Sequence, residues 1–139
     1  MGGTFDHLHD GHKYLIKTAL LISNQIVIGL ASNDLIKKKK HLDKIQSYDF
    51  RKQKIFDYVS EFAETSRVSI IELKDPYGPP IHEADYEGII VSEETYEGAK
   101  KINQIRKNKG FPPLIIVVIP LLKNEKNQKI SSTVIREHL

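Results

Sequence analysis

Residues 2–15 read GGTFDHLHDGHKYL and gather His7, His9 and His12, Asp6 and Asp10, and three glycines. Two chemistries use such a mixture. The first is metal binding: Asp6, His7, His9 and His12 are ligand types, and a catalytic zinc takes three protein ligands and a water. The hydrolases that carry a histidine pair of this HxH spacing are built on barrels of about 200 residues or more, and this chain has 139. The second is phosphate binding. His9 and His12 are three residues apart and share one side of a first helical turn. A helix N-terminus holds unpaired N–H groups and a partial positive charge. Gly11 lacks a Cβ and lets a nucleotide approach the backbone closely. Gly2 and Gly3 permit a tight turn, and Thr4 offers a hydroxyl. Together these make a phosphate cradle with two imidazoles in place of a lysine. The plainer alternative is that the histidines decorate a surface loop.

A second cluster stands at the other end, in KISSTVIREHL. Ser131, Ser132 and Thr133 open an expected helix, Ser131 to Leu139, with Arg136 at helical spacing. One serine capping that helix is the simple reading. The functional reading is a second anion site of hydroxyls, N–H groups and a guanidinium.

The elements that must position these clusters alternate between strand and helix. Gly11 to Ser23 carries Leu15, Ala19 and Ile22 at helical spacing. QIVIGLA, ending at Ala31, is a short apolar strand, and the run Lys37 to Lys40 follows it in an expected loop. Ser47 can cap a helix reaching about Glu64, with Ile55, Val59 and Phe62 inward. RVSIIEL is a strand, and DPYGPP then breaks the chain. GIIVS is a strand, Thr95 to Lys109 a helix with Ala99, Ile102 and Ile105 inward, and Gly110 its stop. LIIVVI is a strand apolar on every residue. Strands apolar throughout are buried on both faces, as in a parallel sheet covered by helices. The expected fold is a Rossmann-like, doubly wound α/β sheet forming one domain over residues 1–139. Ligands bind such sheets at the carboxyl ends of the strands, where both clusters fall.

Composition narrows the partners. No apolar run approaches the length of a membrane span, and no targeting segment is visible. The absence of cysteine removes disulfides and thiolate metal sites. By default the protein is expected in the cytoplasm. A net charge of +3 favours anionic partners, but too weakly to indicate nucleic acid.

The combination of HxGH near the start and ISSTxxR near the end resembles the HxGH nucleotidyltransferase superfamily. Within it, GGTFDHLHDGHKYL, ASNDLIKKKK, DPYGP, VSEETYEGAKKINQIR and KISSTVIR resemble, in order, the archaeal and eukaryotic branch of the pantetheine-phosphate adenylyltransferases. That resemblance implies AMP transfer from ATP to 4′-phosphopantetheine, giving dephospho-coenzyme A and pyrophosphate. The nucleophile would be a phosphate monoester whose second pKa is about 6, so no general base is required. The work is positioning and charge stabilisation.

By the same resemblance His12 contacts the transferring α-phosphate and His9 the ATP phosphates, while Gly11 lies against the nucleotide. Ser131, Ser132, Thr133 and Arg136 grip the β- and γ-phosphates. Thr4 binds the phosphate of phosphopantetheine or bridges the two substrates. Lys37 is the catalytic lysine and Lys39 the second, both toward phosphopantetheine. Mg²⁺ rides on ATP with few protein ligands, and no metal site is expected on the chain itself. Asp75, Tyr77 and Gly78 either line the pantetheine side or form only a turn. Glu93 and Glu94 directly follow a strand, so that one of them holds ribose hydroxyls or both are surface charge.

Two departures accompany the resemblance. The superfamily has an apolar strand before GGTFD, whereas only Met1 precedes it here, so the first sheet strand is expected to be missing. VSEET also stands where bacterial relatives carry an arginine. Two rival functions have simple discriminators. Flavin adenylylation would give product with flavin mononucleotide. A non-catalytic nucleotide- or RNA-binding module would bind ATP without releasing pyrophosphate.

Overall fold

The computed structural model describes residues 1–39, 45–120 and 135–138. They fall into two compact units, Met1–Asp75 and Pro76–Leu139.

The first unit is built on a parallel sheet of order β1-β2-β3, formed by Gly2–Gly3, Ile26–Ala31 and Val68–Leu73. β1 is two residues long and pairs with β2 through Gly2 opposite Gly29 and Gly3 opposite Leu30. The first sheet strand was expected to be missing; Gly2 and Gly3 instead supply a two-residue strand beside QIVIGLA. The Met1 ammonium donates to the Val27 carbonyl at 3.1 Å, and burial pushes its pKa down to about 6. β2, central in this sheet, is buried along nearly its whole length, as its unbroken apolar run requires. β3 is less buried, with Ser69 and Glu72 exposed. Gly29 is needed at the β2–β3 contact, because a Cβ there would stand 2.7 Å from Leu73 Cδ2.

Helix α1 (Asp10–Ile22) connects β1 to β2, and α2 (Asn33–Lys39) and α3 (Tyr48–Ser60) lead on to β3. α1 buries Ile16, Ala19 and Leu20, whereas Ile22 is 44% exposed, so the inward face is rotated from the expected one. Its C-terminal carbonyls are closed by Arg67, which donates to Leu20, Ser23 and Asn24. The lysine run was expected in a loop, yet Lys37 to Lys39 lie on α2. Ser32 starts that helix, its Oγ accepting from the Leu35 N–H at 3.0 Å. Leu35 and Ile36 then bury against Ala31 and Leu73. α3 begins at the expected cap, with Ser47 Oγ accepting from the Phe50 N–H at 3.2 Å, but it ends at Ser60. Phe62 therefore lies beyond the helix and is 40% exposed, while Ile55 and Val59 are buried as expected.

The second unit holds β4 (Gly88–Ser92), α4 (Tyr96–Asn108), β5 (Ile115–Ile119) and β6 (Ile135–His138). β4 and β5 are parallel, joined through α4. Val91, Ala99, Ile116 and Val118 form its core. Gly110, at φ +80°, stops α4: its N–H reaches Lys107 O, and the Phe111 N–H reaches Arg106 O at 2.8 Å. Residues 135–138 were expected in a helix but form β6, antiparallel to β5. Pairing there satisfies backbone groups along β5 that an unpaired edge would leave open, and an antiparallel edge on a parallel sheet is common. Among the described residues no helix is long and apolar enough to cross a membrane. The helix-linked parallel strands are Rossmann-type α/β construction, as expected.

Candidate active site

The segment between β1 and α1 is held by its own side chains. Phe5 and His7 have φ of 49° and 47°, a region that residues other than glycine seldom occupy and that clusters at functional loops. The Phe5 ring is buried and tilts against the His12 ring at 5.2 Å. His9 then caps α1. Its Nδ1 accepts from the Gly11 N–H at 3.1 Å, and His12 Nδ1 accepts from the His9 N–H at 3.2 Å. This is a capping box made of two histidines, and their rings stack at 3.7 Å with an interplanar angle of 22°. A Cβ on Gly11 would stand 3.0 Å from His9 Cε1, so glycine also makes room for the folded-back imidazole.

That geometry sets the tautomer. Nδ1 of each ring accepts from a backbone N–H and must offer a lone pair, so the ring proton sits on Nε2. Burial, followed by the neighbouring His9, pushes the His12 pKa down to about 4, with Asp6 pulling the other way. At neutral pH His12 is an uncharged donor. The arrangement thus offers stacked imidazoles at the positive end of a 13-residue helix, a setting for anionic oxygens.

The loop is tied to the segment before α3. Asp6 Oδ1 accepts from the Gln46 N–H at 2.9 Å, and the His7 N–H donates to Gln46 Oε1 at 3.0 Å. Behind both lies Arg51, at 0% exposure. Its Nε donates to Gln46 O, Nη1 to Thr4 O and Ala31 O, and Nη2 to Asn33 Oδ1, at 2.7–3.0 Å. Burial lowers its pKa and Asp6 is the foremost group raising it; a guanidinium stays protonated through such shifts. A groove of about 550 Å³ opens beside the loop, lined by His7, Leu8 and Gln46 with Lys13, Phe50 and Tyr58.

Of the residues singled out by sequence, Thr4 and His9 lie on this segment and Gly11 and His12 on the first turn of α1. Lys37 is exposed on α2, one helical turn beyond Asn33, and Lys39 is the last residue of α2. Ser131, Ser132 and Thr133 lie outside the described residues. Arg136 is on β6 opposite Val117, rather than on a helix. Gly78 takes φ 70° ahead of the 3-10 turn Pro79–Ile81. Glu93 and Glu94 open the short turn after β4. Arg51, Asn33 and Gln46 escaped the sequence reading. Arg51 did leave a signal, since it stands four residues before Ile55 and eight before Val59 on one helix face.

Residues 1–138 match the cytidylyltransferase-like family. The phosphopantetheine adenylyltransferase of Pyrococcus abyssi is 40% identical over all of this chain and 88% of its own length. That of Methanopyrus kandleri is 36% identical over 98% of this chain and 86% of its own length. A crystal structure of a protein of unknown function from Archaeoglobus fulgidus superposes with a TM-score of 0.74, at 34% identity and 85% coverage of each chain. With its paired histidines capping the first helix and this likeness over the whole length, the chain belongs to the cytidylyltransferase-like family and to its phosphopantetheine adenylyltransferase branch.

Proposed function

We propose that this chain transfers AMP from ATP to 4′-phosphopantetheine, yielding dephospho-coenzyme A and pyrophosphate in the cytoplasm. The observation that carries the reading is the stacked His9–His12 pair, each Nδ1 accepting from a backbone N–H, at the N-terminus of α1. A phosphate oxygen of phosphopantetheine bonds to the α-phosphorus as the bond to the bridging oxygen breaks, and pyrophosphate leaves with the electron pair. No proton has to be removed from the nucleophile, because a phosphate monoester is largely a dianion at neutral pH. The barrier is lowered by donors aimed at the charge that builds on the α-phosphate and leaving group.

In this reading His12 donates from Nε2 to the α-phosphate in the transition state, and His9 to the ATP phosphates. Gly11 lies against the nucleotide. Lys37, with Lys39 second, and Thr4 serve the phosphopantetheine phosphate. Ser131, Ser132, Thr133 and Arg136 hold the β- and γ-phosphates. Mg²⁺ enters with ATP. The donors around the loop are imidazoles, backbone N–H groups and a lysine, which suit phosphate oxygens, while Asp6 already accepts from Gln46. Such a set suits a cation carried largely by the nucleotide, whose charge it would offset.

The test is pyrophosphate release and product identification with purified chain, ATP, Mg²⁺ and 4′-phosphopantetheine. Dephospho-coenzyme A is expected, with no product from flavin mononucleotide. ATP binding without pyrophosphate release would reject the reading.

A further inference from the structure

We infer that Arg51 is a positioning residue for the transfer, holding the histidine loop and the lysine-bearing helix α2 in fixed register. This rests on the adenylyltransferase reading above. The observation is where the guanidinium bonds lead. One nitrogen serves two backbone carbonyls: Thr4 O, on the loop that runs to His9, and Ala31 O, at the end of β2. The second terminal nitrogen holds the side chain of Asn33, the first residue of α2. The Nε–H holds Gln46 O, and Gln46 in turn bonds Asp6 and His7. Three stretches of chain, the histidine loop, the turn from β2 into α2 and the entry of α3, thus converge on one rigid fork.

Asn33 and Lys37 are four residues apart and lie along one side of α2. Fixing the Asn33 amide therefore fixes the rotation of a helix only seven residues long, and with it the direction of Lys37. Thr4, bound to the neighbouring nitrogen, begins the segment that carries the imidazoles. Arg51 touches no reacting atom in this account. It sets the distance across which histidine and lysine meet two anions, and misplacement of reacting groups by about 1 Å can cost on the order of a hundredfold in rate. Lysine cannot substitute, because a single ammonium does not span these acceptors.

The test is steady-state kinetics of Asn33→Ala, Lys37→Ala and the double variant, with Arg51→Lys beside them. Alanine is a good helix former, so Asn33→Ala removes one spoke and keeps α2. We expect kcat for Asn33→Ala to fall about tenfold or more with the KM for ATP nearly unchanged. In the Lys37→Ala background the same substitution should cost almost nothing, since the spoke acts through that lysine. Arg51→Lys should lower kcat further, whatever its stability. Unchanged kcat in Asn33→Ala, or an equal loss with and without Lys37, overturns the inference. Absence of wild-type product with phosphopantetheine would instead refute the functional reading. The register would then be judged by amide exchange, where Asn33→Ala should speed exchange in residues 33–39 and leave α1 unchanged; equal exchange in α2 would overturn it.

Discussion

Among the described residues, each unit of the molecule contains one fully buried arginine, Arg51 in the first and Arg106 in the second, both at 0% exposure. Both donate to carbonyl oxygens. Arg106 bonds the backbone of Pro80, Glu83, Ala84 and Pro112. Three of these lie in one stretch ahead of β4, and the fourth just follows its own helix. Arg51 bonds Thr4, Ala31, Asn33 and Gln46, which come from three separate stretches: the histidine loop, the turn from β2 into α2, and the entry of α3. The same side chain thus pins one loop and a helix end in the second unit and gathers three stretches in the first. Buried carbonyls need donors, and a guanidinium supplies five N–H groups in a fixed fork. What separates the two sites is the cargo. The segments held by Arg51 include those bearing the paired histidines and the α2 lysine, whereas Arg106 secures a turn and a helix end.

The largest effect is expected from Arg51→Met. It leaves four acceptors without their donor, each costing about 1–3 kcal/mol if unsatisfied, offset in part by not burying a charge. Chemical denaturation should show a loss of at least about 2 kcal/mol, and the folded fraction should lose about a hundredfold in kcat. Arg106→Met should show a similar stability loss, yet kcat per folded molecule should stay within about threefold. Equal kcat losses in both variants would dissolve the contrast.

A smaller effect concerns pH. The folded pKa of His12, about 4, lies below the ordinary 6.5. The unfolded chain therefore takes up this proton near pH 6.5, and the folded chain only near pH 4. The stability linked to this group is fully present above pH 6.5 and is lost as pH falls toward 4. The Tm of the wild type should drop over that interval more steeply than that of His12→Ala. Parallel curves would mean that the histidine cap does not hold the ring neutral.

Much of this arrangement was legible in the residues. The positions of α1, β2, β4 and α4 followed from apolar periodicity, and Gly110 marked a helix end correctly. The three-residue spacing of His9 and His12 placed them on one side of α1, but not their mutual capping, because Ser, Thr, Asp and Asn are the usual acceptors there. Arg51 and Arg106 were passed over because an arginine on a helix reads as solvated. Yet each extends an apolar face, Arg51 with Ile55 and Val59, Arg106 with Ala99 and Ile102. Their partners are carbonyls from distant segments, which local periodicity does not register. The lysine run read as loop because four charges outweighed Leu35 and Ile36, the residues that dock α2. β6 depends on the edge of β5, a non-local surface that the helical reading of Ser131 to Leu139 did not weigh.

The central claim is that His12, neutral and capping α1, donates to charge that develops in the transition state. The direct measurement is kcat and ATP affinity for His12→Ala against wild type, with 4′-phosphopantetheine as acceptor. Because the donor matters most where charge builds, kcat should fall about a hundredfold or more, while the Kd for ATP changes only a few-fold. Turnover retained within about threefold, or a loss confined to ATP binding, would contradict the account.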